Sequence, residues 1–283
     1  MPSIHESIAQ AAERLSHGPH RERARQDAEA LLGSVLGRNK AWLIGHAREE
    51  LPESAIPQLA EWVERRSFGE PIQYIIGETE FYRMPFHVNH DVLIPRPETE
   101  ILVEKALELA RVFRPVRILD VGTGSGAIAV ALAHERPDAV VAATDLSASS
   151  LEKARANAGR NGVSGRIRFL EGDLLAPVAG EQFEIIVSNP PYVAAADSGK
   201  LAVEVRDYEP AQALFAGADG LAIHRRLIPE AWEALVPGGF LILEIGYEQQ
   251  PAVKTILADA GFDEIEFTPD LQGIPRVASA RRP

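Results

Sequence analysis

The chain has 283 residues, of which 46% are hydrophobic and 25% charged, and it carries a net charge of -12 and no cysteine. The length allows one large domain or two modest ones, and the absence of cysteine excludes disulfides, thiolate metal sites and a cysteine nucleophile. The acidic charge argues against direct nucleic-acid binding through phosphate neutralisation. No apolar run approaches the roughly 20 residues of a membrane helix, and the N-terminus lacks a secretory pattern. We therefore expect no membrane partner and a cytoplasmic location.

Residues 1 to about 70 have the spacing of amphipathic helices. Apolar residues recur at intervals of three and four between Ile8 and Leu15 and between Ala24 and Val35, and a third run extends from Pro57 to Phe68. Nothing there has the spacing of a nucleophile or a metal site. We expect a helical domain over residues 1–75, either as a simple bundle or as a cap that recognises a substrate or partner.

A linker is predicted over residues 76–95. Residues 69–77 contain glycine and proline, which interrupt regular structure and indicate a boundary. Two short apolar runs then flank Met84-Pro85 as in a hairpin. The hairpin is expected to join the helical domain to a second domain over residues 96–283.

The segment after the hairpin reads Pro95-Arg96-Pro97-Glu98-Thr99-Glu100, and either Glu98 or Thr99 is a suitable start for the next helix. Two prolines around Arg96 hold that side chain on a stiff segment, since each proline fixes its φ angle. A proline-punctuated linker with a solvated arginine is the alternative interpretation.

From Val116 onward, apolar strands alternate with helices, which indicates a mostly parallel sheet. The first strand, 116–121, contains Asp120 and runs into Gly122-Thr123-Gly124-Ser125-Gly126. This G-x-G-x-G loop differs from the dinucleotide-binding G-x-G-x-x-G pattern. A carboxylate beside it repels a pyrophosphate but suits a cationic amino-acid group, which favours S-adenosylmethionine as the cofactor.

Two further acids follow strand ends. Asp145 ends the second strand about 20 residues beyond the glycines, where an acid is placed to accept the ribose hydroxyls. Asp173 follows the third strand and is a candidate acceptor for the adenine amino group, with Leu174 packing on the ring. Each acid alone is commonly a solvated loop residue, but three at successive strand ends predict one cofactor site.

The fourth strand ends in Asn189-Pro190-Pro191-Tyr192. Prolines cannot continue a sheet because they lack the N–H that the ladder needs, so the chain leaves at the carboxyl edge, where α/β sheets bind ligands. The Asn189 side-chain carbonyl and the Pro190 backbone carbonyl can accept both hydrogens of a planar NH2 group, and Tyr192 can stack on a flat substrate. The simpler alternative is a Pro-Pro loop with a surface tyrosine.

The remaining elements complete the sheet. Residues 193–200 are small and polar, and residues 204–210 are expected to form a loop near the mouth of the site. A helix over 223–235, a strand over 240–245, a helix over 253–260 and two final strands at 265–267 and 277–280 are predicted.

These motifs together resemble class I S-adenosylmethionine-dependent methyltransferases that act on planar NH2 groups. The segments 69–77 and 94–100 make the chain similar to the protein-(glutamine-N5) methyltransferases of peptide chain release factors. The resemblance covers nearly the whole chain and is strongest over 69–192. It implies an α/β, Rossmann-like, seven-stranded mixed sheet with a small N-terminal helical domain.

The resemblance also implies an activity and its site. The substrate is the glutamine of a Gly-Gly-Gln motif in a class 1 peptide chain release factor, and no metal is involved. Residues 189–192 are expected to be catalytic and to bind the substrate together with Arg96 and Glu98. Some relatives carry an aromatic residue where this chain has Leu174.

Two other functions remain open from the sequence. An adenine-N6 methyltransferase acting on DNA or RNA shares the Asn-Pro-Pro-Tyr motif but predicts a basic groove, against the charge of -12. A release-factor-binding or assembly module that retains only the fold is the non-enzymatic alternative.

Overall fold

The computed structural model describes residues 1–283, which group into two compact units. The first unit comprises Met1–Gly77 together with Leu201–Tyr208, and the second comprises Glu78–Lys200 and Glu209–Pro283. The hairpin predicted as a linker over residues 76–95 lies in the second unit from Glu78 onward. The short segment 201–208 returns to the first unit from the middle of the second.

The first unit is helical. Its helices are α1 (Ile4–Ser16), α2 (Ala24–Leu36), α3 (Lys40–Gly45), α4 (Ile56–Ser67) and α5 (Ile72–Ile76), joined by the short α9 (Val203–Arg206) from the returning segment. Ser3 and Glu6 form a reciprocal capping box at the start of α1, and Gly37 ends α2 in the left-handed conformation. The apolar faces of these helices meet in one core that includes Ile4, Leu31 and Leu32. The helical spacing read from the sequence is thus confirmed.

A buried ion pair holds the returning segment in the first unit. Arg66 is only 2% exposed, and its Nε donates to Asp27 Oδ2 at 2.7 Å while Nη1 donates to Glu204 Oε2 at 2.9 Å. A buried guanidinium needs such partners because an unpaired buried charge is strongly unfavourable. The prediction that residues 204–210 form a loop is wrong for 204–206, which lie in α9, and residues 201–208 pack as part of the helical unit.

The second unit contains a seven-stranded sheet with the order β5-β4-β3-β6-β7-β9-β8. The strands are β3 (Val116–Val121), β4 (Ala139–Asp145), β5 (Ile167–Glu171), β6 (Phe183–Ser188), β7 (Leu235–Glu244), β8 (Asp263–Pro269) and β9 (Pro275–Arg281). Only β9 runs antiparallel to its neighbours β7 and β8. The expected seven-stranded mixed sheet is confirmed.

Helices cover both faces of this sheet, which is why its central strands read as continuous apolar runs. They are α6 (Thr99–Leu109), α7 (Ala127–Glu135), α8 (Ala148–Arg160), α10 (Ala211–Leu214), α11 (Ala222–Ala234) and α12 (Gln250–Asp259). Along β3, Ile118 packs into one hydrophobic core with residues of α7, whereas Leu119 packs into the other with residues of α11. The strand ends at residues 121, 145 and 188 therefore emerge from a rigid, doubly covered frame.

The hairpin differs in detail from its prediction. Strands β1 (Glu78–Phe81) and β2 (Met84–His87) pair antiparallel, so Met84 and Pro85 lie in a strand and the turn is at Tyr82 and Arg83. Both turn residues have positive φ, 50° and 59°, which side chains rarely favour and which sequence cues therefore miss. Pro85 is tolerated because a two-stranded ribbon has free edges.

Two other boundaries also differ. Residues 72–76, within the segment taken as a punctuated boundary, form the short helix α5, and β7 starts at Leu235, before the Pro237-Gly238-Gly239 turn expected to precede it. None of the helices has both the length and the apolar composition needed to cross a membrane.

Candidate active site

The glycine loop occupies the carboxyl end of β3. Gly122, Gly124 and Gly126 have φ angles of 73°, 54° and 82°, a conformation that glycine adopts without the clash of a Cβ atom. The backbone nitrogens of Gly122 and Thr123 both donate to the carbonyl of Thr144, at 2.9 and 3.0 Å. A Cβ atom on Gly126 would lie 3.0 Å from that of Ala154, so this glycine permits close packing of α8 against the loop.

Asp120 lies beneath the loop and is fully buried. Its Oδ2 accepts from Thr123 Oγ1 at 2.6 Å and from the backbone nitrogen of Ala129 at 3.1 Å, while Oδ1 has no hydrogen-bond partner. Burial raises the pKa of Asp120 to about 7, against the lowering effect of the two hydrogen bonds. Asp120 supports the loop from below and is not part of the cavity wall described next.

An open cleft lies over this sheet edge, with an empty volume of about 1100 Å³ that includes space open to solvent. Such a volume accommodates a small-molecule ligand of nucleoside size. Most of the predicted site residues share its wall: Gly122, Thr123, Gly124, Ser125, Asp145, Asp173, Leu174, Asn189 and Pro191. The remaining predicted residues, Asp120, Gly126, Pro190, Tyr192, Arg96 and Glu98, are not among the residues that line it.

Asp145 joins the end of β4 to the glycine loop. Its Oδ2 accepts from the backbone nitrogen of Gly124 at 2.8 Å, and its Oδ1 accepts from the backbone nitrogen of Ser147 at 2.9 Å. Burial raises the pKa of Asp145, opposed by these hydrogen bonds. Each oxygen keeps a further lone pair for a ligand hydroxyl.

Asp173 and Leu174 follow β5 and face the same cleft. The Asp173 carboxylate pairs with Arg226 Nη2 at 2.5 Å, in an arrangement in which both side chains are about half exposed. Leu174 has a φ of 45°, an unusual angle for a branched residue that turns the chain sharply at the strand end. The structure thus brings both residues to the cleft, and the Asp173 carboxylate is already paired with the Arg226 guanidinium.

The Asn-Pro-Pro-Tyr segment leaves the end of β6, which Ser188 ties to β3 by donating to the carbonyl of Val121 at 2.7 Å. The Asn189 side-chain nitrogen donates to Thr99 Oγ1 at 3.1 Å, whereas neither its side-chain oxygen nor the carbonyl of Pro190 accepts a hydrogen bond within the protein. Asn189, which lines the cleft, and Pro190, which follows it in the chain, thus each keep a neutral acceptor without a partner in the protein.

Tyr192 points its hydroxyl inward and donates to Glu244 Oε1 at 3.2 Å. Burial, followed by the neighbouring carboxylate of Glu244, raises the pKa of the Tyr192 phenol far above its ordinary value. Tyr192 is therefore a neutral, fixed side chain.

Gln249 holds the backbone after Tyr192. Its amide nitrogen donates to the carbonyls of Tyr192 and Gly220, at 3.0 and 3.2 Å, and its oxygen accepts from the nitrogen of Gly246 at 2.9 Å. Gly220 has no room for a side chain, since a Cβ atom there would lie 2.2 Å from the Tyr192 carbonyl oxygen. One carboxamide thus joins three loops at the site.

Arg96 and Glu98 lie on the segment before α6. Arg96 Nη2 donates to both carboxylate oxygens of Glu209, at 2.6 and 2.7 Å, and its side chain is 30% exposed. Glu98 is exposed at the N-cap of α6 and makes no capping bond. Arg96 is therefore an ion-paired anchor rather than a solvated linker residue.

Thr99 and Glu244 were not singled out in the sequence as site residues. Thr99 lines the cleft and donates to Glu244 Oε2 at 2.6 Å, and both residues are almost completely buried. Burial raises the pKa of Glu244, opposed by the hydrogen bonds from Thr99 and Tyr192. An acid within the apolar run Phe240–Ile245 is the signal that marks Glu244 in the sequence.

Two family models and many curated proteins match this chain. The family model described as PrmC N-terminal domain matches residues 6–77, and the one described as methyltransferase small domain matches residues 97–207. A release factor glutamine methyltransferase of Bradyrhizobium diazoefficiens is 44% identical over 92% of this chain and 89% of its own length. Another, of Xylella fastidiosa (strain Temecula1), is 42% identical over 100% of this chain and 99% of its own. The chain belongs to the release factor glutamine methyltransferase family.

Solved structures support the fold of this release factor glutamine methyltransferase family member. The catalytic domain of hMettl16, crystallised with an RNA hairpin, has a TM-score of 0.57 and 16% identity over 81% of both chains. The 16S rRNA N2 G1207 methyltransferase of T. thermophilus has a TM-score of 0.54 and 19% identity over 73% of this chain and 50% of its own. At such identities the likeness establishes the shared methyltransferase fold alone.

Proposed function

We propose that the protein methylates the side-chain nitrogen N5 of the glutamine in the Gly-Gly-Gln motif of class 1 peptide chain release factors, with S-adenosylmethionine as the methyl donor. The observation that carries the proposal is a pair of unused acceptors: Oδ1 of Asn189, a residue that lines the cleft of the glycine loop, and the carbonyl of Pro190, which follows it in the chain. A carboxamide NH2 group has two hydrogens to donate, and these acceptors match them.

The residues of the cleft fit the methyl donor. The free lone pairs of Asp145 suit two ribose hydroxyls, and Leu174 offers an apolar surface for the adenine, with Asp173 as a candidate acceptor for its amino group. Asp120 does not line the cleft, so we propose that it serves the cofactor site only by holding the glycine loop through Thr123 and Ala129. When bound, S-adenosylmethionine supplies a methyl group already activated by its sulfonium.

The protein's part in the reaction is then mainly positioning. An amide nitrogen is a poor nucleophile because its lone pair is delocalised into the carbonyl. Accepting both N–H bonds at Asn189 and Pro190 orients the nitrogen, lets it pyramidalise and stabilises the positive charge that develops on it. No strong base is needed, and Glu244, the buried acid linked to Asn189 through Thr99, is already bound by Thr99 and Tyr192.

The first unit is proposed to recognise the body of the release factor, since none of its residues carries the chemistry. We propose further that Arg96, anchored on Glu209, and Glu98, at the exposed start of α6, contact the substrate chain. Because release factors act on ribosomes, we place the protein in the cytoplasm, and we propose that it does not bind nucleic acid directly.

Transfer of a labelled methyl group tests the function. The protein is incubated with tritiated S-adenosylmethionine and, in parallel, a class 1 release factor, the same factor with Gly-Gly-Ala in place of Gly-Gly-Gln, and duplex DNA. Label should enter only the first, and mass spectrometry should place it on the glutamine. Transfer to DNA would support the adenine-N6 alternative, and no transfer at all would support a binding module.

A further inference from the structure

A continuous hydrogen-bonded chain runs from the interior of the second unit to the Asn189 side chain. Glu244 Oε2 accepts from Thr99 Oγ1 at 2.6 Å, and Thr99 Oγ1 accepts from Asn189 Nδ2 at 3.1 Å. On the other carboxylate oxygen, Glu244 Oε1 accepts from the Tyr192 hydroxyl at 3.2 Å. One carboxylate therefore contacts both ends of the Asn-Pro-Pro-Tyr segment, directly at Tyr192 and through Thr99 at Asn189.

This series of hydrogen bonds has a direction because a hydroxyl carries only one hydrogen. Once Thr99 donates that hydrogen to Glu244, its oxygen can only accept, so the group facing it from Asn189 must be the NH2 end of the carboxamide. The carbonyl end, Oδ1, then faces away from Thr99. A carboxamide has two orientations of nearly equal shape, and nothing else in the protein binds the Asn189 side chain.

The orientation matters to the chemistry, since a flipped Asn189 would present two N–H donors to a substrate NH2 group that also donates. We propose that Glu244 and Thr99 are positioning residues that fix the Asn189 carboxamide with its oxygen toward the substrate, an inference that rests on the proposed function of Asn189. Glu244 needs no contact with substrate for this role; it acts through Thr99.

Burial makes the arrangement stiff. Thr99 is 4% and Glu244 2% exposed, so water does not compete for either group, and hydrogen bonds in such surroundings are stronger than in water. The helix start at Thr99 and the end of β7 at Glu244 are both rigid attachment points. The two residues lie 145 positions apart in the sequence, and only the packing of α6 against the sheet brings them together.

Three variants test the inference with a class 1 release factor as substrate. Thr99→Val keeps the shape but removes the hydroxyl, and we expect kcat to fall about 100-fold, as for a misplaced reacting group. Thr99→Ser should recover most of that loss. Glu244→Gln can either accept from or donate to Thr99, so it no longer fixes the direction, and kcat should fall at least about tenfold. The affinity for S-adenosylmethionine, measured by calorimetry, should stay within about twofold, because none of the changes touches the proposed cofactor contacts.

Glu184→Gln is the matched control, because Glu184 pairs with Arg117 away from the cleft. The double variant Thr99→Val/Glu244→Gln should be no slower than Thr99→Val alone, since both changes interrupt the same series of hydrogen bonds to Asn189. Equal kcat for Glu244→Gln and Glu184→Gln, or a loss in Thr99→Val that Thr99→Ser does not restore, overturns the inference. If Thr99→Val does not fold, the comparison of kcat between Glu244→Gln and Glu184→Gln tests the inference by itself. A wild-type protein that methylates no release factor would instead refute the proposed function.

Discussion

Asp145 and Gly124 are joined by a hydrogen bond of 2.8 Å from the backbone nitrogen of the glycine to a carboxylate oxygen of the acid. The acid at the end of β4 thus holds the loop at the end of β3, and the same carboxylate faces the cleft. A single side chain consequently shapes the loop and offers acceptors to a bound nucleoside.

The first prediction concerns Asp145→Ala. The change should weaken S-adenosylmethionine binding about 10- to 100-fold, because hydrogen bonds to a charged group contribute about 1.5–3 kcal/mol each. Isothermal titration calorimetry measures the affinity. Asp138→Asn, an exposed acid paired with Arg136 outside the cleft, should bind as the wild type does. An unchanged affinity in Asp145→Ala would remove the ribose role from Asp145.

Asn189→Ala should act on turnover rather than on cofactor affinity. The variant loses one of the two acceptors for the substrate nitrogen, and we expect kcat on a release factor to fall about 1,000-fold, the upper range for removing one preorganised polar group. S-adenosylmethionine affinity should weaken far less. Asn161→Ala, whose side chain binds the carbonyl of Pro85 away from the cleft, is the control. Turnover equal to the control would contradict the proposed chemistry.

Residues next to a strand end were the part of the site that the sequence could place. Asp145 and Asn189 each follow an apolar strand, and parallel strands bring such positions to one edge. The role of Asp120 could not be predicted from the sequence. Its spacing shows that an acid precedes the glycine loop, but not that the side chain is buried beneath it. Its full burial is a property of the packing of α7 on β3.

Partners distant in the sequence could not be predicted at all. Thr99 and Asn189 are 90 residues apart, and Arg66 and Glu204 are 138 apart. Periodicity and turn signals act over a few residues, so they identify the helix at Thr99 and the polar run at Glu204 without indicating what either contacts. The assignment of 201–208 to the helical unit follows only from the folded structure.

Asn157 should be among the side chains whose loss most destabilises the second unit. It is fully buried, its nitrogen donates to the carbonyls of Ser125 and His87 at 2.8 and 3.0 Å, and its oxygen accepts from the nitrogen of His87 at 2.7 Å. Asn157→Leu leaves these backbone groups unpaired, at a cost of about 1–3 kcal/mol for each buried group. A lower urea midpoint of unfolding is expected, and a midpoint equal to that of Asn161→Leu would contradict this account.

The proposed role of the first unit in recognition predicts a difference between two substrates. Ile44 is 68% exposed at the end of α3, and Ile44→Asp should raise KM for a whole release factor about tenfold, equivalent to roughly 1.4 kcal/mol of lost contact. KM for a short Gly-Gly-Gln peptide should not change, because the peptide lacks the surface for that contact. Val112→Asp, on an exposed residue of the second unit, is the control. Equal increases for both substrates would argue against recognition at Ile44.

Asp120 predicts how stability depends on pH. Burial raises the pKa of Asp120 to about 7 from 3.8, so between these pH values the unfolded chain releases a proton that the folded protein retains. The free energy of unfolding therefore falls as pH rises from about 4 to about 7, by about 4 kcal/mol at most, since each pKa unit corresponds to about 1.4 kcal/mol. Above pH 7 this contribution becomes constant.

Asp120→Asn should remove the Asp120 contribution to this slope, because asparagine does not titrate, and leave the contributions of Asp145 and Glu244, whose pKa values burial also raises. The substitution also changes the hydrogen bonds under the loop, but that effect is independent of pH and shifts the whole curve without tilting it. Urea unfolding at pH 4.5, 6 and 7.5 measures the slope for the wild type, for Asp120→Asn and for Asp138→Asn. In Asp138→Asn the free energy of unfolding should fall above pH 5 as in the wild type. The Asp138 carboxylate that this variant lacks has a lowered pKa and titrates only at more acidic pH. A slope in Asp120→Asn as steep as that of the wild type would place the responsible proton on another group.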